Sequence, residues 1–210
     1  MLFKNAPDKF WDLISSKYAA SPISDKLAYE AKVQKIKSYL TSEQVVLDIG
    51  CATGTQCADI ADNVKHVTGI DISSKLLAIA EQRKAERKQD NIEFIKTSLF
   101  DKNFQAGSFD VVLAFYVLHF FEDIDAVFKR IHDLLVPNGV FISETACLGG
   151  NNIIIRKLLR MAGSIGLLPK INLLTTKKLE QALEKAGFRI VEKFSFSKSN
   201  SEYTLFAKKM

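Results

Sequence analysis

Residues 46–54 read Val-Leu-Asp-Ile-Gly-Cys-Ala-Thr-Gly (VLDIGCATG), and this stretch decides the fold. An apolar run that meets an acid and opens into small residues is typical of a buried strand turning into a helix. In open α/β sheets such turns lie beyond the carboxyl ends of the strands, where ligands bind. Residues 50–54 are either a ligand-binding loop or a tight turn without a ligand, and the rest of the sequence favours a ligand.

Strands and helices alternate on both sides of this stretch. Apolar runs predict parallel strands over residues 45–49, 65–71, 92–95, 109–114 and 140–144. Helical periodicity covers residues 8–19, 25–40, 55 onward, 74–88, 123–135 and 175–186. The runs FRIVEKFSF and EYTLFAKK alternate with period two and predict an antiparallel hairpin. The predicted fold class is α/β, with a doubly wound (Rossmann-like), mostly parallel seven-stranded sheet, helices on both faces and a C-terminal antiparallel hairpin.

Composition places the chain among ordinary globular proteins. Its 210 residues, 47% hydrophobic and 25% charged, predict one domain that buries its own core. Cys51, Cys57 and Cys147 are too few and scattered for a disulfide framework or a zinc site, so no metal is expected. Unpaired thiols, no signal-peptide pattern and no run of ~18–20 apolar residues predict a cytoplasmic protein.

The loop chemistry selects the class of ligand. Gly50, Ala52 and Gly54 are spaced G-x-A-x-G, which matches neither the dinucleotide fingerprint nor the phosphate-binding loop. A carboxylate at Asp48 would repel a pyrophosphate and attract a cation. S-adenosylmethionine carries a sulfonium and an ammonium and no phosphate. Asp71 closes the second strand, where an acid accepts hydrogen bonds from a ribose diol or stabilises a helix N-terminus.

With these residues, the chain resembles class I S-adenosylmethionine-dependent methyltransferases, of the broad ubiquinone/menaquinone-biosynthesis-like (type 11/12) group. The resemblance covers about residues 10–145, through VLDIGCATG, VTGIDIS, SFDVVLAFYVLHFFED and LLVPNGVFISE, and is weaker in TTKKLEQALEKAGFRIVE. It implies a single methyltransferase domain in four parts. These are an N-terminal helical lid (1–42), a cofactor-binding core (43–145), a helical insertion or substrate cover (146–174) and a helix with a hairpin (175–210).

The resemblance also implies which residues bind S-adenosyl-L-methionine. Asp48 would lie near the methionine amino group, and Phe115 would line the methionyl end. The small loop residues would approach the methionyl and ribose parts: Gly50, Cys51, Ala52 and Gly54. Asp71 would hold the ribose hydroxyls, and the adenine would contact Ile72, Ser98 and Leu99.

Two positions depart from the family pattern. Ala52 replaces a glycine, which the loop accepts if φ is negative there. Ser98 stands where an acid is common, and a neutral acceptor makes a weaker hydrogen bond. The sequence therefore predicts a modest affinity for the cofactor.

Methyl transfer mainly requires alignment, because the leaving group is a neutral thioether; alignment contributes roughly 7–11 kcal/mol in favourable cases. A base is needed only if the acceptor must lose a proton. The candidate catalytic residues are His119, Glu144 and Tyr18. His119 and Glu144 are expected at the acceptor-side mouth, or else as a packed histidine and a solvated strand end. Tyr18 either contacts the cofactor from the lid or packs beside Trp11.

The segment GGNNIIIRKLLRMAGSIGLLP (149–169) combines an apolar body with the basic residues Arg156, Lys157 and Arg160. It covers an apolar pocket, forms a dimer contact or lies on an anionic membrane surface, and we expect pocket cover or packing first. Residues 156–210 carry 12 Lys+Arg against 4 Asp+Glu, within a net charge of +5. That excess is either a solvated basic surface or an attraction for an acidic partner. The segment predicts a small, apolar or lipid-like acceptor, with peripheral membrane contact through residues 153–168 as an alternative.

Three other functional classes compete with this interpretation. A nucleic-acid methyltransferase would suit the basic C-terminal quarter, but no RNA-binding module and no Asn-Pro-Pro-Tyr tetrad occurs in the sequence. A non-catalytic S-adenosylmethionine-binding protein would keep the fold without the reaction. A nicotinamide-dependent oxidoreductase is disfavoured by the glycine spacing and by Asp48.

Overall fold

The computed structural model describes residues 6–23, 25–150, 153–165, 167–196 and 202–210. The strands that it describes are β1 (Val45–Ile49), β2 (His66–Asp71), β3 (Ile92–Lys96), β4 (Phe109–Phe115), β5 (Leu135–Ala146), β6 (Phe188–Phe194) and β7 (Glu202–Lys209). The α-helices are α1 (Pro7–Ala20), α2 (Lys26–Lys37), α3 (Thr55–Ile60), α4 (Ser74–Arg87), α5 (Ile124–Leu134), α6 (Ile153–Ser164) and α7 (Thr176–Lys185).

The strands form one sheet in the order β3-β2-β1-β4-β5-β7-β6. β1 pairs in parallel with both β2 and β4, so the winding reverses between β1 and β4. β7 pairs antiparallel with β5 and with β6. The predicted doubly wound sheet with a C-terminal hairpin is confirmed. A reversal of this kind opens a crevice beyond the carboxyl ends of the strands.

Both faces of the sheet are buried along the central strands β1 and β4, which explains why these two strands are largely apolar, whereas β6 alternates between buried and exposed residues. Successive residues of a strand point to opposite faces. Val112 belongs to one buried cluster with Phe128 of α5. Leu113 belongs to the other cluster, with Ile60 of α3 and Leu77 of α4. The helices therefore cover the faces and leave the crevice open at the strand ends.

β5 begins at Leu135, so the predicted start at Val140 is wrong. Leu135 already pairs with Phe109, and residues 136–139 form an irregular step before regular pairing resumes at Val140. Asn138 in this step has a φ of 63°. The Pro-Asn-Gly signal marks a bulge inside the strand, because a bulge accepts proline and left-handed backbone just as a turn does.

The loop after β1 turns through left-handed backbone at Gly50, Ala52 and Gly54, with φ values of 69°, 49° and 67°. A Cβ at Gly54 would lie 2.6 Å from Cζ of Phe94, so only glycine fits there. The condition under which the loop would accept Ala52 without strain, a negative φ, is not met. Its backbone turns so that its N–H donates to Oδ2 of Asp71, at 3.0 Å.

We predict that Ala52→Gly stabilises the protein by about 0.5–1 kcal/mol. Left-handed backbone costs an L-residue roughly 1–2 kcal/mol, and the greater entropy of glycine in the unfolded chain offsets about half of that gain. Ala78→Gly is the matched control, because Ala78 is exposed in α4. This variant should lose about 1 kcal/mol of its free energy of unfolding, because glycine is a poor helix former. Denaturant unfolding of both variants measures the difference, and destabilisation of equal size in both would contradict the prediction.

Candidate functional site

Two cavities lie at the carboxyl ends of the strands, with volumes of about 1060 Å³ and about 660 Å³. Five residues line both of them: Tyr18, Gly50, Ala52, Phe115 and Tyr116. The two cavities therefore meet at the glycine-containing loop and the end of β4. This is the switch point of the sheet, as the sequence predicts.

Asp71 lies in the wall of the larger cavity at the end of β2. Its Oδ1 accepts a hydrogen bond from the N–H of Ser73 at 2.8 Å, and its Oδ2 accepts one from the N–H of Ala52 at 3.0 Å. Burial raises the pKa of this carboxyl. An ionised carboxylate has about four acceptor positions, so the backbone bonds leave capacity for ligand hydroxyls.

Ile72, Ser98 and Leu99 line the same cavity as Asp71. Leu99 is fully buried, whereas Ser98 is exposed. Thr97 also lines the cavity and is absent from the sequence-based set. Its position directly after β3 was a signal that could have identified it.

Asp48 lines the smaller cavity together with Cys51. Only 2% of Asp48 is exposed, and the thiol of Cys57 donates to its Oδ2 at 3.2 Å. Burial raises the pKa of Asp48 to about 7, and the negative charge of Asp71 acts in the same direction. A cationic group in this cavity would stabilise the ionised form.

Glu144 lies in the smaller cavity, so its expected place beside His119 at the acceptor-side mouth is wrong. Its Oε2 pairs with Nζ of Lys32 at 2.5 Å, and both side chains are buried. The Lys32 ammonium also lies 5.3 Å from the ring centroids of both Tyr29 and Phe115. Because α2 packs across this end of the sheet, it supplies the counter-ion that a buried carboxylate needs. No local sequence signal identifies Lys32, which lies 112 positions from its partner.

Tyr116 was also missed by the sequence analysis, although it directly follows Phe115. It has a φ of 53°, and its N–H donates to the carbonyl oxygen of Glu144 at 2.7 Å. Burial raises the pKa of its phenol, and the carboxylates of Glu144 and Glu202 add to this effect. Tyr116 therefore stays protonated at the junction of the two cavities.

His119 lies in the aromatic wall of the larger cavity, in a short 3₁₀ turn after β4. Its ring centroid is 4.2 Å from that of Phe120. Burial lowers the pKa of His119 to about 4, so the imidazole is neutral at physiological pH. Its Nδ1 is buried with no hydrogen-bond partner among the described residues. A neutral imidazole with this low pKa is a weak base.

Helix α1 covers the larger cavity. Trp11 packs edge-on against Phe120, with ring centroids 5.3 Å apart, and Tyr18 lies 6.3 Å from Trp11. Asp12 accepts a hydrogen bond of 2.6 Å from the hydroxyl of Ser73, the N-terminal cap of α4. The helix is thus fixed at two places, against the turn after β4 and against the start of α4.

Helix α6 contributes Leu159, Arg160, Gly163 and Ser164 to the wall of the larger cavity. None of the helices in the described residues is long and apolar enough to cross a membrane. Within the same residues, His, Cys, Asp and Glu side chains form no group of three that is able to hold a metal ion.

Comparison with known proteins places this arrangement in a family. Residues 40–202 match the family model described as a methyltransferase domain. The chain is 35% identical over 114 residues to demethylmenaquinone methyltransferase of Lactococcus lactis subsp. lactis, covering 53% of this chain and 45% of that protein. The chain spans less than half the length of the first curated relatives that it matches.

Solved structures show the same fold at low sequence identity. The [4+2]-cyclase SpnF superposes with a TM-score of 0.78 at 18% identity, covering 96% of this chain and 94% of that one. Geranyl diphosphate methyltransferase in complex with GPP and sinefungin superposes with a TM-score of 0.71 at 13% identity, covering 86% of this chain and 77% of that one. The resemblance to class I S-adenosylmethionine-dependent methyltransferases is confirmed, and the chain belongs to the methyltransferase domain family.

Proposed function

We propose that this chain transfers a methyl group from S-adenosylmethionine to a small, apolar or lipid-like acceptor. The observation that carries the proposal is the junction of two cavities at the glycine-containing loop, with a buried acid in each cavity. One cavity suits a cationic amino-acid portion, and the other is large enough for a nucleoside and a second molecule.

The residues present fit the cofactor. In the smaller cavity, Asp48 would hold the methionyl ammonium, since a buried carboxylate is stabilised by an opposite charge. In the larger cavity, Asp71 would accept hydrogen bonds from the ribose hydroxyls, and Ile72 with Leu99 would pack on the adenine. The cofactor supplies a methyl group that is activated by a positively charged sulfur.

The acceptor side of the larger cavity supports an apolar substrate. Beyond the nucleoside side, its wall is mainly aromatic and aliphatic, through Trp11, Phe120, Phe121, Leu159, Leu168 and Ile171. Arg160 and the ion pair of Lys170 with Glu122 add charged groups to the same lining. Burying apolar surface contributes roughly 25 cal/mol per Å² to binding. The names of the compared demethylmenaquinone and geranyl diphosphate methyltransferases agree with such an acceptor.

The candidate catalytic residues support catalysis by alignment. His119 is a weak base, and the pKa of Tyr18 is raised because its phenol is partly desolvated and lies near the carboxylates of Asp71 and Asp48. Glu144 is held by Lys32. We infer that His119 and Tyr18 orient the acceptor by hydrogen bonding, while the cavity walls supply the alignment that accelerates transfer.

We predict that Asp71→Ala weakens S-adenosylmethionine binding by at least about 100-fold, because two charge-assisted hydrogen bonds to the ribose, each contributing roughly 1.5–3 kcal/mol, are lost. Calorimetric titration measures the affinity, and circular dichroism with thermal unfolding checks the fold. Asp62→Ala is the matched control, since Asp62 is an exposed acid in the 3₁₀ turn before β2, at the opposite end of that strand from Asp71. Unchanged affinity in a folded Asp71→Ala protein would exclude the ribose-binding role.

We predict that cofactor affinity falls as the pH is lowered through the neutral range. Ionised Asp48 is the binding form, and its pKa of about 7 means that protonation removes this form as the pH falls. Between about pH 7 and about pH 5.5, the ionised fraction drops from roughly one half to roughly 3%, so affinity should fall about 15-fold. Asp48→Asn should bind weakly with no such dependence. The same pH profile in that variant would assign the titration to another group.

We predict that Leu159→Lys lowers kcat/KM for an apolar acceptor by at least about tenfold, because it places a charge in the apolar wall. Cofactor affinity should change little. The assay follows transfer of a labelled methyl group from S-adenosylmethionine to quinone precursors and phospholipids, with RNA as the competing substrate. Leu13→Lys is the control, since Leu13 is 70% exposed on α1. Transfer to RNA alone would overturn the proposed acceptor class.

A further inference from the structure

One side of α6 and the turn after it expose large apolar side chains. Ile153, Leu158, Met161, Ile165 and Leu167 are between 53% and 64% exposed. We call these five residues, together with the basic residue Lys157 between them, the α6 surface. Exposed apolar clusters of this kind mark interaction sites in soluble proteins.

The same helix turns its other side to the larger cavity. Leu159, Arg160, Gly163 and Ser164 line that cavity, and at 100° per residue Leu158 and Met161 lie on roughly the opposite side of the helix. Covering the pocket therefore accounts for one side of the helix only. The α6 surface remains exposed among the described residues, so the expected pocket cover accounts for part of this helix only.

The charge of this segment distinguishes between two partners for the α6 surface, a second copy of the chain and an anionic lipid bilayer. Residues 153–170 contain four Lys/Arg and no Asp/Glu. A symmetric contact between two copies would bring Lys157 close to its own equivalent or to another basic residue, at a cost in like-charge repulsion. An anionic bilayer surface satisfies both features, because apolar side chains enter the acyl boundary while basic side chains reach the headgroups.

We propose that the α6 surface binds the headgroup region of an anionic lipid bilayer. Docking there would set the larger cavity beside the lipid, since α6 forms a wall of that cavity. An apolar acceptor would then enter the cavity with little exposure to water. This consequence rests on the proposed function, whereas the docking itself does not.

Vesicle co-sedimentation tests the docking with the purified chain alone. We expect binding to vesicles of phosphatidylglycerol and phosphatidylcholine, and at least about tenfold weaker binding to phosphatidylcholine alone. The combined change Leu158→Ser and Met161→Ser should weaken binding at least about tenfold. Lys157→Gln should weaken binding to the anionic vesicles about fivefold and leave binding to the neutral ones unchanged. Added salt should reduce the anionic component.

Leu27→Ser is the matched control, since Leu27 is 79% exposed on α2 and lines neither cavity. Equal loss in this control, or no retention of the unmodified chain on anionic vesicles, would overturn the proposal. So would a dimer in sedimentation velocity that the Leu158→Ser and Met161→Ser variant dissociates. Lys157→Gln preserves the apolar side chains, so it tests the charge even if the double variant unfolds. These measurements use no cofactor or acceptor, so their failure would leave the methyltransferase proposal standing.

Discussion

The site depends above all on the carboxylate of Asp71. It accepts the backbone N–H of Ala52 after β1 and that of Ser73 after β2, so one buried acid fixes two loops at once. The hydroxyl of Ser73 extends this network to Asp12 on α1. Burying a carboxylate without hydrogen-bond donors would cost free energy. The need for these donors therefore fixes the positions of the two loops and the covering helix relative to one another. The crevice is therefore formed by the protein itself before any ligand arrives.

Two further buried acids at the strand ends differ in the side chains that contact them, and this difference gives them different chemical properties. Asp48 and Glu144 are each 2% exposed and line the same smaller cavity. Glu144 has a protein counter-ion in Lys32, whereas Asp48 receives a hydrogen bond from a thiol and has a raised pKa. Desolvation without a charged partner leaves Asp48 ready for a cation supplied by a ligand. The satisfied pair at Glu144 instead stabilises the junction of α2 with the sheet.

The sheet and the two helices around the larger cavity, α1 and α6, form different parts of the site. A cyclase shares the fold along nearly its whole length, so the fold does not by itself determine the reaction. The strand ends and their loops build the side of the crevice where we propose that the nucleoside binds. Helices α1 and α6 close its other side with aromatic and aliphatic residues, and under the proposed function they would set the choice of acceptor. α6 also carries the exposed surface for which we propose lipid, so one helix would connect substrate choice with location.

The sequence by itself determined the features that follow from local patterns and from strand ends. Apolar runs located the strands, and the small residues beginning at Gly50 located the loop. The acid that closes β2, Asp71, was identified because parallel strands deliver their carboxyl ends to one edge. The tertiary structure alone decided the pairing of Lys32 with Glu144, since helix packing brings together residues that are distant in the chain. It also decided the left-handed backbone of Ala52, because the acceptor that turns its N–H lies on another strand. The sequence likewise did not determine that part of α6 is exposed. An amphipathic pattern identifies the apolar side of a helix but not what packs against that side.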